Sequence, residues 1–174
     1  MQSAWSGNRR LRDTALLLVA ITGGLRASEL IGLKVADIDV KARVVHVEQG
    51  KGRKNREVYL PRETSQSIQR WLNVLKDDGS VFRKVTKAGK VQSSLTSAGI
   101  TAIFKAMAEE AGISAFSPHD LRRTYITDLL NNGVDINVVR QMAGHEDVST
   151  TVRYDFRGNQ SKRDAVGKLS TYCH

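Results

Sequence analysis

Apolar residues return at helical spacing early in the chain. Leu11, Leu16, Leu18 and Val19 recur across residues 8–22, and Gly23-Gly24 halts the pattern, which predicts an opening helix. A second short helix is expected over about 28–33. Between about Ile38 and Leu60 the period shortens towards two: residues 43–47 and 57–60 read as strands flanking a glycine-containing basic segment, a β-hairpin, with 37–40 as an added edge strand. From there on the chain reads as helical. Ile68, Trp71, Leu72 and Leu75 mark one stripe, and Ile100, Ile103, Phe104 and Met107 another, with Gly79 and Gly112 as their stops. Ser117-Pro118 supplies a cap and a first helical residue, and Gly133 closes that helix. Asp135 caps the next, which Gly144 ends, and Ser149 caps a last short helix running through Tyr154. The expected fold is mixed α+β and mainly α-helical, with a small antiparallel β-sheet carrying a basic hairpin.

Composition narrows the class. A chain of 174 residues with 40% hydrophobic positions can bury one core, and two prolines with no low-complexity stretch point to one domain without a linker or repeat. The longest apolar run, 15–21, falls well short of the ~20 residues a bilayer span needs and precedes no cleavage pattern, which argues against membrane insertion and secretion. The single cysteine, Cys173, excludes an intrachain disulfide and a cysteine-based zinc site, and suits a reducing, cytoplasmic compartment. A formal charge of +9 makes a polyanion the expected partner, with nucleic acid ahead of a membrane surface because no basic amphipathic helix stands out.

Four places carry candidate chemistry. Arg26 and Glu29 sit three apart at a helix boundary, the spacing of an ordinary surface ion pair. His119 and Arg122 fall on the first turns of the helix capped by Ser117, where free N–H groups and the helix dipole favour an anion. Lys51, Arg53, Lys54 and Arg56 crowd the hairpin tip with no carboxylate among them, which suits either a solvated turn or a finger laid along a nucleic-acid groove. His145 precedes Tyr154 by nine positions, although spacing alone does not choose Tyr154 over Tyr59, Tyr125 or Tyr172. A metal centre at His145-Glu146-Asp147 is a poor reading, because adjacent residues on a turn do not converge.

Taken as an ordered set, these segments resemble the catalytic domain of the tyrosine recombinases, the phage integrase family. Gly23-Gly24-Leu25-Arg26-Ala27-Ser28-Glu29-Leu30 resembles the first-arginine box, and Gly50-Lys51-Gly52 the hairpin lysine. Ser117-Pro118-His119-Asp120-Leu121-Arg122-Arg123-Thr124 resembles the His-x-x-Arg box. Ala143-Gly144-His145 and Thr150-Thr151-Val152-Arg153-Tyr154 resemble the second histidine and the nucleophile.

The resemblance implies transesterification of double-stranded DNA through a 3′-phosphotyrosine, with Tyr154 as nucleophile and Arg26, Lys51, His119, Arg122 and His145 as its catalytic companions. Guanidinium forks from Arg26 and Arg122 match the charge gathering on a phosphodiester's non-bridging oxygens. A phenol of ordinary pKa ~10 needs a base, for which His119 is the candidate, and Lys51 would protonate the departing 5′-oxygen. Neither metal nor ATP is required, because fixed cations carry the charge and the covalent bond stores the phosphoester. Glu29 would orient Arg26 or the neighbouring backbone, while Arg53, Lys54, Arg56 and Arg123 would contact DNA.

Only about 25 residues precede Arg26, so the resemblance implies a catalytic domain over 1–174 without the helical core-binding domain that family members place ahead of it. The polar tail over about 156–174 would dock on a neighbouring protomer, in an assembly that is tetrameric when full length. Two other readings share the residues: a catalytically silent DNA-binding module of the same fold, and a type IB topoisomerase-like strand transferase.

Overall fold

The computed structural model describes residues 7–48, 55–145, 147–154 and 166. The chain divides into two compact units, Met1–Tyr125 and Ile126–His174.

In the first unit, helix α1 (Gly7–Gly23) turns Ala15, Leu16, Val19 and Ala20 inward and packs along α3 (Arg62–Leu72), which contributes Ile68 and Trp71. All six side chains are fully buried. Helix α2 (Ala27–Gly32) follows after a tight turn at Gly24, then a single 3₁₀ turn. A three-stranded antiparallel sheet comes next, in the order β1 (Ile38–Asp39), β2 (Val44–Val47), β3 (Arg56–Tyr59). Strand β1 is the edge strand expected from residues 37–40. The pairing sets Val45 against Val58 and Val47 against Arg56. Val45, Val47 and Val58 face the core, while Glu57 and Tyr59 alternate outward.

Two expectations fail in this unit. The chain is not wholly helical after Leu60, because β4 (Arg83–Val85) and β5 (Val91–Ser94) form a second antiparallel hairpin around a turn with Gly89 at φ +81°. Its strands are short, and Val91-Gln92-Ser93-Ser94 has no apolar alternation to announce it. Gly79 does not end α3 either. That helix stops at Leu72, and Val74, Leu75 and the following turn lead to Val81, whose carbonyl accepts a 2.8 Å bond from the Trp71 indole. Helix α4 (Ser97–Ala111) is capped by the Thr96 hydroxyl and ends at Gly112, which is left-handed as its sequence position predicts.

Helix α5 (Pro118–Asn131) begins in the first unit and continues into the second. Ser117 and Asp120 form a reciprocal cap: Ser117 N donates to Asp120 Oδ2 at 2.9 Å, and Asp120 N to Ser117 Oγ at 3.3 Å. The Ser117 hydroxyl also donates to Asp120 Oδ2 at 2.6 Å, and that bond together with the one from Ser117 N holds the Asp120 carboxyl below its ordinary pKa. In the second unit, Asp135 caps α6 (Ile136–Ala143) by accepting from the backbone of Asn137 and Val138, and Gly144 ends it at φ +67°. Helix α7 (Val148–Val152) is capped by Asp147 rather than by Ser149. The Asp147 carboxylate accepts from Ser149 N at 2.8 Å, and it stands one position ahead of the helix where a cap belongs. Ile126, Leu130, Val139 and Ala143 of this unit are inaccessible to solvent. No helix among the described residues is long and apolar enough to cross a membrane.

Candidate active site

The turn between α1 and α2 holds the backbone that leads into Arg26. Gly24 adopts φ +61°, and a β-carbon placed on it would lie 2.2 Å from Cδ1 of Tyr125, so the ring of Tyr125 lies directly over the glycine backbone. The Gly24 carbonyl accepts a 2.6 Å bond from Nη1 of Arg122, one turn earlier on α5 than Tyr125. Arg122 is therefore not an exposed surface arginine: it is 5% exposed and anchored to the backbone two residues ahead of Arg26.

Arg26 itself belongs to a cluster of two guanidinium groups on one carboxylate. Glu29 Oε2 accepts from the Arg26 backbone N–H at 2.7 Å and from Arg56 Nη2 at 2.9 Å. Its Oε1 accepts from Arg26 Nη1 at 2.7 Å and from Arg56 Nη1 at 2.8 Å. Burial raises the Glu29 pKa, but the Arg56 hydrogen bonds, the Arg26 backbone bond and the charges of both arginines outweigh it and leave the pKa at about 2. The contrast with Asp13 is instructive. That carboxylate is buried against Arg12 in α1, yet its pKa is raised, because there desolvation outweighs the attraction of Arg12 and the weaker pull of Arg9.

The pair expected as a surface contact is thus largely buried, and Arg56, expected on the exposed hairpin tip as a DNA contact, is turned inward. The Arg56 side chain is 9% exposed and that of Arg26 31%. Strand alternation carried the signal for this, since Arg56 shares a face with Val58, and the charge run obscured it. Lys51, Arg53 and Lys54 lie outside the described residues. His119 and Arg123 are exposed on α5, His119 on its first turn and Arg123 next to the buried Arg122.

In the second unit the His145 and Tyr154 rings stack at a centroid distance of 6.5 Å, inclined by 27°. Thr151, which the sequence did not single out, is fully buried and joins its Oγ1 to His145 Nδ1 at 2.9 Å. Arg140 Nη1 donates to the His145 carbonyl at 3.2 Å, and His145 N to the Arg140 carbonyl at 3.0 Å. The imidazole is thereby fixed at one nitrogen, and Tyr154 lies just past the end of α7, half-buried against it.

The tyrosines separate by environment. Burial raises the Tyr125 pKa, with Arg56 and Arg122 pulling weakly the other way, and the Glu57 carboxylate raises that of exposed Tyr59. Among the described residues Tyr154 is the tyrosine that lies against a histidine. No group of three or more histidine, cysteine or carboxylate side chains is placed to hold a metal among those residues.

Comparison with known proteins identifies the family and the fold. The model of the phage integrase family matches residues 1–158, and the chain belongs to that family. It is 33% identical over 166 residues to tyrosine recombinase XerA of Thermococcus kodakarensis, covering 92% of this chain and 58% of that protein. It is 34% identical over 157 residues to tyrosine recombinase XerC of Staphylococcus aureus, covering 90% and 52%. The chain thus spans a little over half the length of these relatives. The crystal structure of XerA recombinase superposes with a TM-score of 0.75 at 28% identity, over 91% of this chain and 58% of that one, so the two share a fold.

Proposed function

We propose that this chain is the catalytic domain of a site-specific DNA recombinase, cleaving and rejoining strands through a 3′-phosphotyrosine. The observation that carries the reading is the fixing of two arginines by rigid partners, Arg26 by Glu29 and Arg122 by the Gly24 carbonyl, on either side of one turn. Guanidinium groups held in place before substrate arrives stabilise a charged phosphoryl transition state without reorganisation. The relatives' names as tyrosine recombinases support the same reading.

In this mechanism the Tyr154 oxygen attacks the phosphorus, forming the phosphotyrosine bond, and the bond to the 5′-oxygen breaks. The phenolic proton passes to His119, and Lys51 gives a proton to the departing 5′-oxygen, which leaves as a hydroxyl. Arg26, Arg122 and His145 hold the non-bridging oxygens. Attack by a 5′-hydroxyl on the phosphotyrosine reverses these steps, so joining needs no ATP and the fixed cations need no metal. Lys54, Arg53 and Arg123 would hold the backbone of double-stranded DNA. Other protomers would complete a tetrameric synapse in the full-length protein, with residues 156–174 as the docking segment.

The test mixes the protein with supercoiled plasmid at low salt, quenches with detergent and looks for covalent adduct and relaxation. Salt-dependent binding without adduct would instead identify a silent DNA-binding module. Relaxation by a strict monomer that never recombines would identify a topoisomerase-like enzyme.

A further inference from the structure

We propose that Arg56 is a positioning residue for Arg26: by occupying both oxygens of Glu29 it fixes how Arg26 meets that carboxylate, and it ties the hairpin base to the Gly24–Glu29 turn. The proposal rests on the strand-transfer reading of the site.

Four bonds reach two oxygens. Arg56 engages Glu29 as a fork, with Nη1 on Oε1 at 2.8 Å and Nη2 on Oε2 at 2.9 Å. Arg26 is therefore denied the same fork. It meets Oε1 through Nη1 and Oε2 through its own backbone N–H, both at 2.7 Å. A buried carboxylate attracts whichever guanidinium can approach it, and a bidentate pair is the strongest form of that attraction. Without Arg56, Glu29 would draw the Arg26 guanidinium into a fork of its own or take up a proton. Either change alters how Arg26 is held, and a misplacement of about 1 Å can cost about a hundredfold where a reacting group must be held in place.

The exposures point the same way. Arg56 is too covered to lie along a DNA backbone, while Arg26 retains the more open side chain and lines a cavity of about 460 Å³ with Ser28, Lys34 and His46. Strand β3 follows Lys51 in the chain, and the same ion pair joins the start of that strand to α2. The stretch with no carboxylate between Gln49 and Arg56 thus ends in a residue whose partner comes from another element.

The experiment compares wild type, Arg56→Gln, Arg56→Lys and Arg56→Gln/Glu29→Gln. Binding to a labelled duplex is followed across a salt titration, and adduct on supercoiled plasmid is counted per bound protein. A positioning role predicts a salt slope equal to wild type in Arg56→Gln, with adduct reduced about tenfold or more. Arg56→Lys keeps the charge but lacks the fork, so it falls with Gln, and the double variant falls at least as far, because Arg26 then also loses the carboxylate that holds it. A salt slope lower by about one phosphate contact, with adduct per bound protein unchanged and Lys as good as Arg, would overturn the proposal. Should wild type give no Tyr154-dependent adduct, the strand-transfer reading is what fails. The salt slope, with NMR titration of the Glu29 carboxyl in Arg56→Gln, then judges Arg56 separately: an unchanged slope with a raised titration supports the link to Glu29, and a lowered slope with an unmoved titration refutes it.

Discussion

Arg122 and Gly24, ninety-eight positions apart, are joined by a 2.6 Å bond from the guanidinium to the backbone carbonyl. The bond sets the first turns of α5 against the turn that presents Arg26, so the two arginines are held by one piece of structure. Tyr125 closes over the same glycine.

Gly24→Ala tests that arrangement. A methyl group would meet the Tyr125 ring at 2.2 Å on a backbone of φ +61°, combining a clash with a strained conformation. The expected loss is on the order of 2–4 kcal/mol, visible as a lowered midpoint in urea unfolding. A midpoint equal to wild type would show that the ring moves aside at little cost.

Arg122→Lys retains the charge but not the planar fork. Duplex binding is expected to stay within about threefold of wild type, while adduct formation falls at least about a hundredfold. Adduct at the wild-type rate would remove Arg122 from the catalytic set.

Glu29 gives a pH signature. Its folded pKa of about 2 lies below the ordinary 4.5, so its stabilisation is complete above about 4.5 and is lost as pH falls from there towards 2. Glu29→Gln should cost about 3 kcal/mol at pH 7, and the gap to wild type should close over that acidic window in urea titrations. A gap that stays constant with pH would mean that the carboxylate's charge contributes nothing.

Thr151→Val removes the hydroxyl that holds His145 Nδ1 while preserving shape. Adduct formation is expected to fall about tenfold and to be restored by Thr151→Ser, because the serine hydroxyl can reform the 2.9 Å bond. Loss in both variants, matched by equal loss of thermal stability, would indicate a purely structural threonine.

Much of this was legible in the sequence, for reasons that can be named. Periodicity found α1, α4 and the 44–59 hairpin, whose apolar stripes are strong, and capping chemistry located α5 and α6 at Ser117 and Asp135. It failed at β4 and β5, where short polar strands pair through the backbone. Arg26 and Arg122 stand out in motifs that resemble the family's boxes, and Glu29 is legible as the partner of Arg26 three positions on, but the Gly24 carbonyl that holds Arg122 carries no sequence signal, and the Arg56–Glu29 pair spans twenty-seven positions. The run of cations from Lys51 to Arg56 suggests a surface, whereas strand alternation puts Arg56 on the same face as Val58. Thr151 carries no sequence signal, because a threonine facing a histidine has no fixed spacing.

The central claim is that Tyr154 becomes covalently joined to a DNA 3′-phosphate. The most direct measurement uses supercoiled plasmid, traps any protein–DNA adduct with detergent, and identifies the modified peptide and the DNA end it carries by mass spectrometry, beside Tyr154→Phe. The account predicts a 3′-phosphoryl group on Tyr154 in the wild type and no adduct in the variant. An adduct that persists in Tyr154→Phe, a bond to the 5′ end, or DNA held by the wild-type protein with no adduct at all would contradict it.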